Sequence, residues 1–356
     1  DNFTELYGGT TSALGFKSEG TNFTGSLLIG HSTTGVISSA ENNTGIGISA
    51  LDALTSGDNN VAVGKSAGSS ITTGSYNVLL GRSAGISLST GSENIAIGFA
   101  ALSLEDGNGK NIAIGTNALE DLNAGADAYN IAIGHDAGRN ISTGVQNTII
   151  GAEAGDALTT GNHNIAIGFR ALSTEDTGGN SMAIGYYALN KQNNDSNNYN
   201  VGIGHSSGQE VTTGTNNVLL GGLTGSSLTT GNYNIAIGTQ ALFTEDAHGR
   251  NVAIGHQALK VQNAGVDAYN VAIGYDAGVA VTTGLYNTIV GGLAGDALTT
   301  GEKNTAIGKG ALSTEDTGSR NTAVGYLALQ ALNYDGNGYN TAIGFATGEV
   351  MTTGTQ

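Results

Sequence analysis

Asn94-Ile95-Ala96-Ile97-Gly98 is followed 17 residues later by Asn111-Ile112-Ala113-Ile114-Gly115, and this pattern recurs along nearly the whole chain. The glycine of the pattern occupies twenty equivalent positions between Gly15 and Gly344. From Gly30 on, the interval is 17 residues, lengthened to 19 at every fourth step, so that four intervals make a 70-residue unit. A period this short is typical of a solenoid, in which each coil contacts only its neighbours.

The residue pattern within one period predicts β-structure. Ile or Val alternates with Ala or Gly, which is the period of a β-strand, and the spacing leaves no room for a helix. The segment Ile71-Thr72-Thr73-Gly74 predicts a second short strand that ends in a glycine turn. We therefore expect an all-β fold, a parallel β-solenoid (β-roll) of about 20 coils of 17/17/17/19 residues with two short strands each.

The domain organisation follows from the same repeat. Residues 1–25 are expected to form irregular N-terminal coils of the array, and residues 26–356 one continuous solenoid with the 70-residue, four-coil super-repeat. Met351–Gln356 matches the segment before a ladder Asn and stops one residue short of it. We therefore expect the C-terminal end to be truncated, with the parent protein continuing.

Composition excludes several classes of function. The chain has 12 Lys and Arg against 29 Asp and Glu, a net charge of −17, so nucleic-acid binding is not expected. No apolar stretch approaches 18 residues, which argues against membrane insertion. Cysteine is absent, which excludes disulfides and thiolate chemistry. Glycine is abundant at 59 residues, but proline is absent and the period is not three, so collagen is excluded.

Both faces of the repeated strand are apolar. The Ile and Val side chains form one face and the Ala or Gly residues the other, so we expect one face inside the coil and the other against a second chain. In the second coil of each unit a large residue replaces the Ala. Two explanations stay open: local repacking within the coil, or knobs along an inter-chain seam on the Ala face. The four residues are Leu79, Ile149, Leu219 and Ile289.

Two apparent catalytic motifs are rejected, because positions that each motif requires carry other residues. Gly64-Lys65-Ser66-Ala67-Gly68 fits the nucleophile-elbow pattern, but the equivalent coil has Gly134-His135-Asp136-Ala137-Gly138. The P-loop pattern also fails, because its first Gly would fall on Asn59. We expect no enzyme activity, no catalytic residue, no cofactor-binding residue and no metal-ligand set.

One Asn precedes the strand in almost every coil. Stacked amides can form a ladder in which each side chain bonds to its neighbours above and below, so we assign this column a structural role. The ladder residues considered are Asn60, Asn77, Asn94, Asn111, Asn130, Asn147 and Asn164.

Acidic pairs recur once per 70 residues and offer the only candidate cation site. Ca²⁺ needs six to eight oxygen ligands, more than one pair supplies, so three chains would have to share the site. The alternative is a solvated turn, and no cofactor other than this Ca²⁺ is considered. The pairs are Glu105-Asp106, Glu175-Asp176, Glu245-Asp246 and Glu315-Asp316.

The 19-residue coils carry the longest variable loops, such as 123–129 and 192–199, and each loop ends in Tyr. An exposed Tyr ring can stack on a sugar, which makes these residues candidates for surface binding. The alternative is that they cover the coil edge. The four residues are Tyr129, Tyr199, Tyr269 and Tyr339.

The string Asn-x-Ala-Ile-Gly-x-x-Ala resembles the head repeats of YadA-like trimeric autotransporter adhesins and the related repeats of phage tail fibres. Ser181-Met182-Ala183-Ile184-Gly185 is the closest match, and the similarity extends from about Ser26 to the end. The resemblance implies a homotrimeric β-roll, although the coils here are longer than the adhesin coil.

Together these patterns predict a structural or adhesive fibre segment. It would be a surface adhesin or a phage tail-fibre shaft, a rigid spacer for host or surface attachment that is extracellular, on a cell surface or on a virion. Its expected partners are copies of itself and a cell-surface glycan or receptor. Two alternatives remain: a self-assembling extracellular filament, and a monomeric ice- or glycan-binding solenoid.

Overall fold

A computed structural model describes residues 16–20, 23–29 and 38–354. The chain divides into two compact units, Asp1–Tyr129 and Asn130–Gln356. The described residues contain β-strands and turns and no helix. They therefore include no helix long and apolar enough to cross a membrane.

The first unit contains seven strands. They are β1 (Phe16–Gly20), β2 (Phe23–Ile29), β3 (Thr44–Ile46), β4 (Val61–Val63), β5 (Val78–Leu80), β6 (Ile95–Ile97) and β7 (Ile112–Ile114).

The second unit contains thirteen strands of three residues. They are β8 (Ile131–Ile133), β9 (Thr148–Ile150), β10 (Ile165–Ile167), β11 (Met182–Ile184), β12 (Val201–Ile203), β13 (Val218–Leu220), β14 (Ile235–Ile237), β15 (Val252–Ile254), β16 (Val271–Ile273), β17 (Thr288–Val290), β18 (Thr305–Ile307), β19 (Thr322–Val324) and β20 (Thr341–Ile343).

Within each unit the coils stack in parallel and in register. In the first unit Ala96 of β6 lies opposite Ala113 of β7, and in the second Ala166 of β10 lies opposite Ala183 of β11. Each step along the stack follows the inter-strand spacing of about 4.8 Å. The predicted parallel β-solenoid is confirmed.

The number of coils is smaller than predicted. Eighteen three-residue strands, β3–β7 and β8–β20, each mark one coil in the described residues, against about twenty expected. The difference lies at the N-terminus, where β1 runs antiparallel to β2 and adds no coil, while β2 pairs in parallel with β3. Of the expected irregular coils in residues 1–25, residues 1–15 and 21–22 lie outside the described residues. The expected truncation rests on residues 351–356, of which 355–356 also lie outside the described residues.

The prediction of two strands per coil is wrong, because each coil between residues 38 and 354 has one. In the Thr-Thr-Gly segment, the N–H groups of Thr72, Thr73 and Gly74 all donate to the carbonyl of Ser89, at 2.9, 3.4 and 3.4 Å. A β-ladder needs alternate donors and acceptors along the strand, and three donors converging on one acceptor do not provide them. This segment is therefore a bend that still binds the next coil.

Left-handed backbone turns close the coils. Gly98 has φ of +138°, and a Cβ there would clash with the carbonyl of Gly115 in the next coil, so only glycine fits. The residue before the ladder Asn is also left-handed without being glycine, as in Tyr76 and Glu93, both at φ +61°. This conformation costs about 1–2 kcal/mol per non-glycine residue. Contacts between coils must offset that cost.

The Ala face of the strand is the coil interior. Ala96 and Leu79, on this face, are fully buried, whereas the flanking strand residues are partly exposed. Leu79 fills the space left by two glycines, since a Cβ on Gly68 or Gly85 would lie 2.6 or 2.9 Å from its methyl carbons. In the next coil the strand has Ala96 in place of Leu79, and the position equivalent to Gly85 is a buried leucine, Leu102. The large residues are therefore core side chains, which supports packing within the coil and contradicts the other explanation, an inter-chain seam on the Ala face.

Replacing Leu79 with Ala is expected to destabilise its coil by about 2–5 kcal/mol, because the glycines beside it cannot fill the cavity. Hydrogen exchange across residues 60–95 would measure the local free energy of opening. The control is Leu104→Ala, at an exposed position, expected within about 0.5 kcal/mol of the parent. Equal losses in the two variants would contradict this core assignment.

Candidate functional site

The Asn column is a row of buried side-chain to backbone hydrogen bonds in each unit. In the first unit the Oδ1 of Asn60 accepts the backbone N–H of Asn77 at 3.0 Å, and its Nδ2 donates to Gly74 O at 2.8 Å. In the second unit Asn147 accepts from the N–H of Asn164 at 2.8 Å. The other ladder residues considered are also fully buried, namely Asn94, Asn111 and Asn130.

Ser181 interrupts this column and bonds to a buried glutamine. Gln192 Nε2 donates to Ser181 Oγ at 2.7 Å, and its Oε1 accepts from Asn200 Nδ2 at 2.9 Å. Gln262 of the next super-repeat makes the equivalent bond to an asparagine, so the glutamine does not depend on the serine. Sequence reasoning noticed Ser181 and missed Gln192, although Gln192 takes the place of Leu122 of the preceding super-repeat.

Replacing Asn147 with Ala is expected to destabilise the second unit by about 2–5 kcal/mol. The change leaves the Asn164 N–H and the Gly161 carbonyl buried without their partner, and each such group costs about 1–3 kcal/mol. Thermal or denaturant unfolding followed by circular dichroism would measure the loss. Asn140→Ala, at an exposed position, is the control, and a similar loss there would refute a specific ladder effect.

The expectation of a solvated acidic turn is wrong for the glutamates. Each Glu of the pairs is fully buried, at the position where the coils before it carry Ile71 or Leu88. One carboxylate oxygen accepts the backbone N–H three residues later, at 2.7 Å in Glu175 and Glu315 and at 3.0 Å in Glu105. The neighbouring Asp is at least partly exposed, so in each pair the Glu lies in the core and the Asp at the surface.

Burial raises the pKa of all four glutamates. Desolvation is the largest cause in each, opposed by the backbone hydrogen bond, and it raises the pKa of Glu245 to about 7. Because the folded pKa lies above the unfolded value, the native state binds the proton more tightly. The stability supplied by the neutral form is therefore complete below about pH 4.5 and is lost as the pH rises through the folded pKa.

Replacing Glu105 with Gln is expected to give a higher melting temperature than that of the parent, by an amount that grows as the pH increases from 4 to 8. Glutamine keeps the acceptor for Asn108 but never carries the buried charge. We expect the difference in Tm to grow by about 1–3 °C over this range. The control is Glu93→Gln, the same substitution at an exposed position. A constant difference for Glu105→Gln would contradict the buried charge.

The proposed Ca²⁺ ligands do not gather into an oxygen-rich site within one chain. Among the described residues, a single group of three His, Cys, Asp or Glu side chains places ligand atoms within 4.8 Å of one another. It consists of Glu245, Asp246 and His248. The other three acidic pairs have no such third member.

The four loop tyrosines lie at the surface and pack on basic side chains where these are present. Lys110 Nζ lies 5.2 Å from the ring centre of Tyr129 and 3.2 Å from its hydroxyl. Arg320 donates to the Tyr339 hydroxyl at 2.7 Å. All four rings are about half exposed, which leaves room for a planar ligand. The exposed fractions are 50% for Tyr129, 55% for Tyr199, 48% for Tyr269 and 51% for Tyr339.

An outward apolar strip runs along each stack. In every described coil the first and third strand residues are Ile, Val, Leu, Met or Thr and face away from the core. Several in the second unit expose 36–38% of their surface, such as Ile133, Ile235 and Ile273. None of these positions carries a charge, although the chain has a net charge of −17. Contiguous apolar surface of this kind makes the strip a candidate interaction surface.

Comparison of the chain with family models, with curated proteins and with solved structures finds no match.

Proposed function

We propose that this chain is a non-enzymatic fibre segment that associates with two further copies of itself through the outward apolar strip. The assembly acts as a stiff extracellular spacer, at a cell surface or on a virion, for attachment to a host or surface. The observation that carries the proposal is the uncharged strip of strand side chains present in every described coil.

The geometry of the strip favours another copy of the same chain as the partner. Thirteen coils in the second unit span about 60 Å, and alternate strand residues are about 7 Å apart, so the strip covers roughly 400 Å². A second copy carries the same two rows at the same spacing and can therefore align coil for coil. A strip this narrow allows three chains to meet around one axis, in keeping with the resemblance to trimeric fibre repeats.

The attachment role is assigned to the surface outside the strip. The half-exposed tyrosines and the loops before them precede the ladder Asn and are not among the strand residues that form the strip. Aromatic rings there offer stacking surfaces for a glycan, the partner expected from the sequence.

Light scattering of the full chain at several concentrations tests the assembly. We expect a constant mass of three times 35.5 kDa. A variant with aspartates in three consecutive coils should give the monomer mass with an unchanged circular dichroism spectrum. The substitutions are Ile235→Asp, Val252→Asp and Val271→Asp, and their carboxylates would be buried in the trimer interface without partners.

The matched control replaces the same three residues with Thr, which β17, β18 and β19 carry naturally at this position, and should keep the trimer. A parent that is monomeric at all concentrations would refute the trimer and favour a single solenoid that binds ice or glycans. A mass that grows with concentration would favour an end-to-end filament instead.

A further inference from the structure

The acidic segment of the third super-repeat carries a histidine that the other three lack. Three positions after the buried Glu, the chain has Asn108, Gly178 and Gly318 in three of the super-repeats and His248 in the third. The surrounding coil is otherwise similar, since each Glu accepts the backbone N–H of this residue. The imidazole is therefore an addition to a common framework.

The side chains around His248 leave two polar atoms without a hydrogen bond. Glu245 is fully buried, and its Oε1 accepts the His248 backbone N–H at 3.2 Å, while Oε2 has no hydrogen-bond partner. The Nδ1 of His248 is also buried without a partner and lies 3.8 Å from Glu245 Oε1. Asp246 places a carboxylate oxygen within 4.8 Å of both.

We propose that Glu245, Asp246 and His248 bind one divalent transition-metal ion of the Zn²⁺ type. An imidazole nitrogen with two carboxylates suits Zn²⁺ and its neighbours, whereas Ca²⁺ prefers oxygen ligands alone and needs more of them. Three protein ligands leave the fourth tetrahedral position to water.

The distances are close to those that such an ion requires. Bonds of about 2.1 Å in a tetrahedral site place ligand atoms roughly 3.4 Å apart. The Nδ1 of His248 and the Oε1 of Glu245 must approach by only a few tenths of an ångström from 3.8 Å. Asp246 is exposed, so its side chain is free of core packing and can close the remaining gap.

A cation also compensates for the placement of these charges. Two adjacent carboxylates, one of them desolvated in the core, raise each other's free energy when ionised, and a bound divalent ion offsets both effects. The ion connects the buried Glu245 to the exposed Asp246, so its binding stabilises this coil against opening.

Calorimetric titration of the full chain with Zn²⁺ tests the site. We expect one tight site per chain, and a higher melting temperature with the ion. His248→Asn, which installs the residue found at position 108, should weaken the tight site at least tenfold while keeping the fold. The control is His256→Asn, which removes an exposed His256–Asp276 pair (3.2 Å) and should leave the tight site intact.

The first super-repeat offers the reverse experiment. Glu105 is buried like Glu245 and its Oε2 also has no hydrogen-bond partner, so Asn108→His should add a second Zn²⁺ per chain. The proposal is overturned if the parent binds no Zn²⁺ tightly, if His248→Asn binds it as the parent does, or if Asn108→His leaves the stoichiometry unchanged. Stoichiometry per chain does not depend on the oligomeric state, so a failed trimer leaves this test valid.

Discussion

The close approach of successive backbones is the constraint on which the rest of the structure depends. Gly98 lies so near the carbonyl of Gly115 that no side chain fits between them, and the same contact recurs from coil to coil. This spacing lets the strands pair in register, but it also requires left-handed corners at non-glycine residues such as Tyr76. Each corner is unfavourable by itself, so coil formation depends on the neighbouring coil, as in other repeat proteins.

Two kinds of interaction stabilise the coil interior, namely apolar packing and the hydrogen bonds of the Asn column. Leu79 packs into the space beside two glycines, and Ala96 shares its coil with Leu102 instead, so large and small side chains alternate between positions. Beside them, the Asn column satisfies backbone N–H groups where the strand begins, which a strand of three residues could not do alone. A thin core is sufficient to stabilise the coils, because few buried polar groups are left without a hydrogen bond.

The sequence predicts the period, the parallel solenoid and the buried Asn column because each depends on spacing alone. It does not predict which face of the strand is inside, because Ile95-Ala96-Ile97 is apolar on both faces and only coil closure decides between them. The burial of Glu105 was also missed, because Glu beside Asp suggests solvent. The available signal was alignment with Ile71 and Leu88, which lie at the same place in their coils and are core residues.

Positions that stack and positions that face outward obey different constraints in this architecture. A change at a stacked position must suit the coils on both sides, since Gln192 bonds both to Ser181 before it and to Asn200 after it. A change at a corner, such as His248 in place of the Asn108 found in the first super-repeat, alters one coil and leaves the backbone hydrogen bonds to its neighbours in place. Chemical variety can therefore accumulate at the corners of an otherwise uniform stack, where one super-repeat can acquire a side chain that the other three lack.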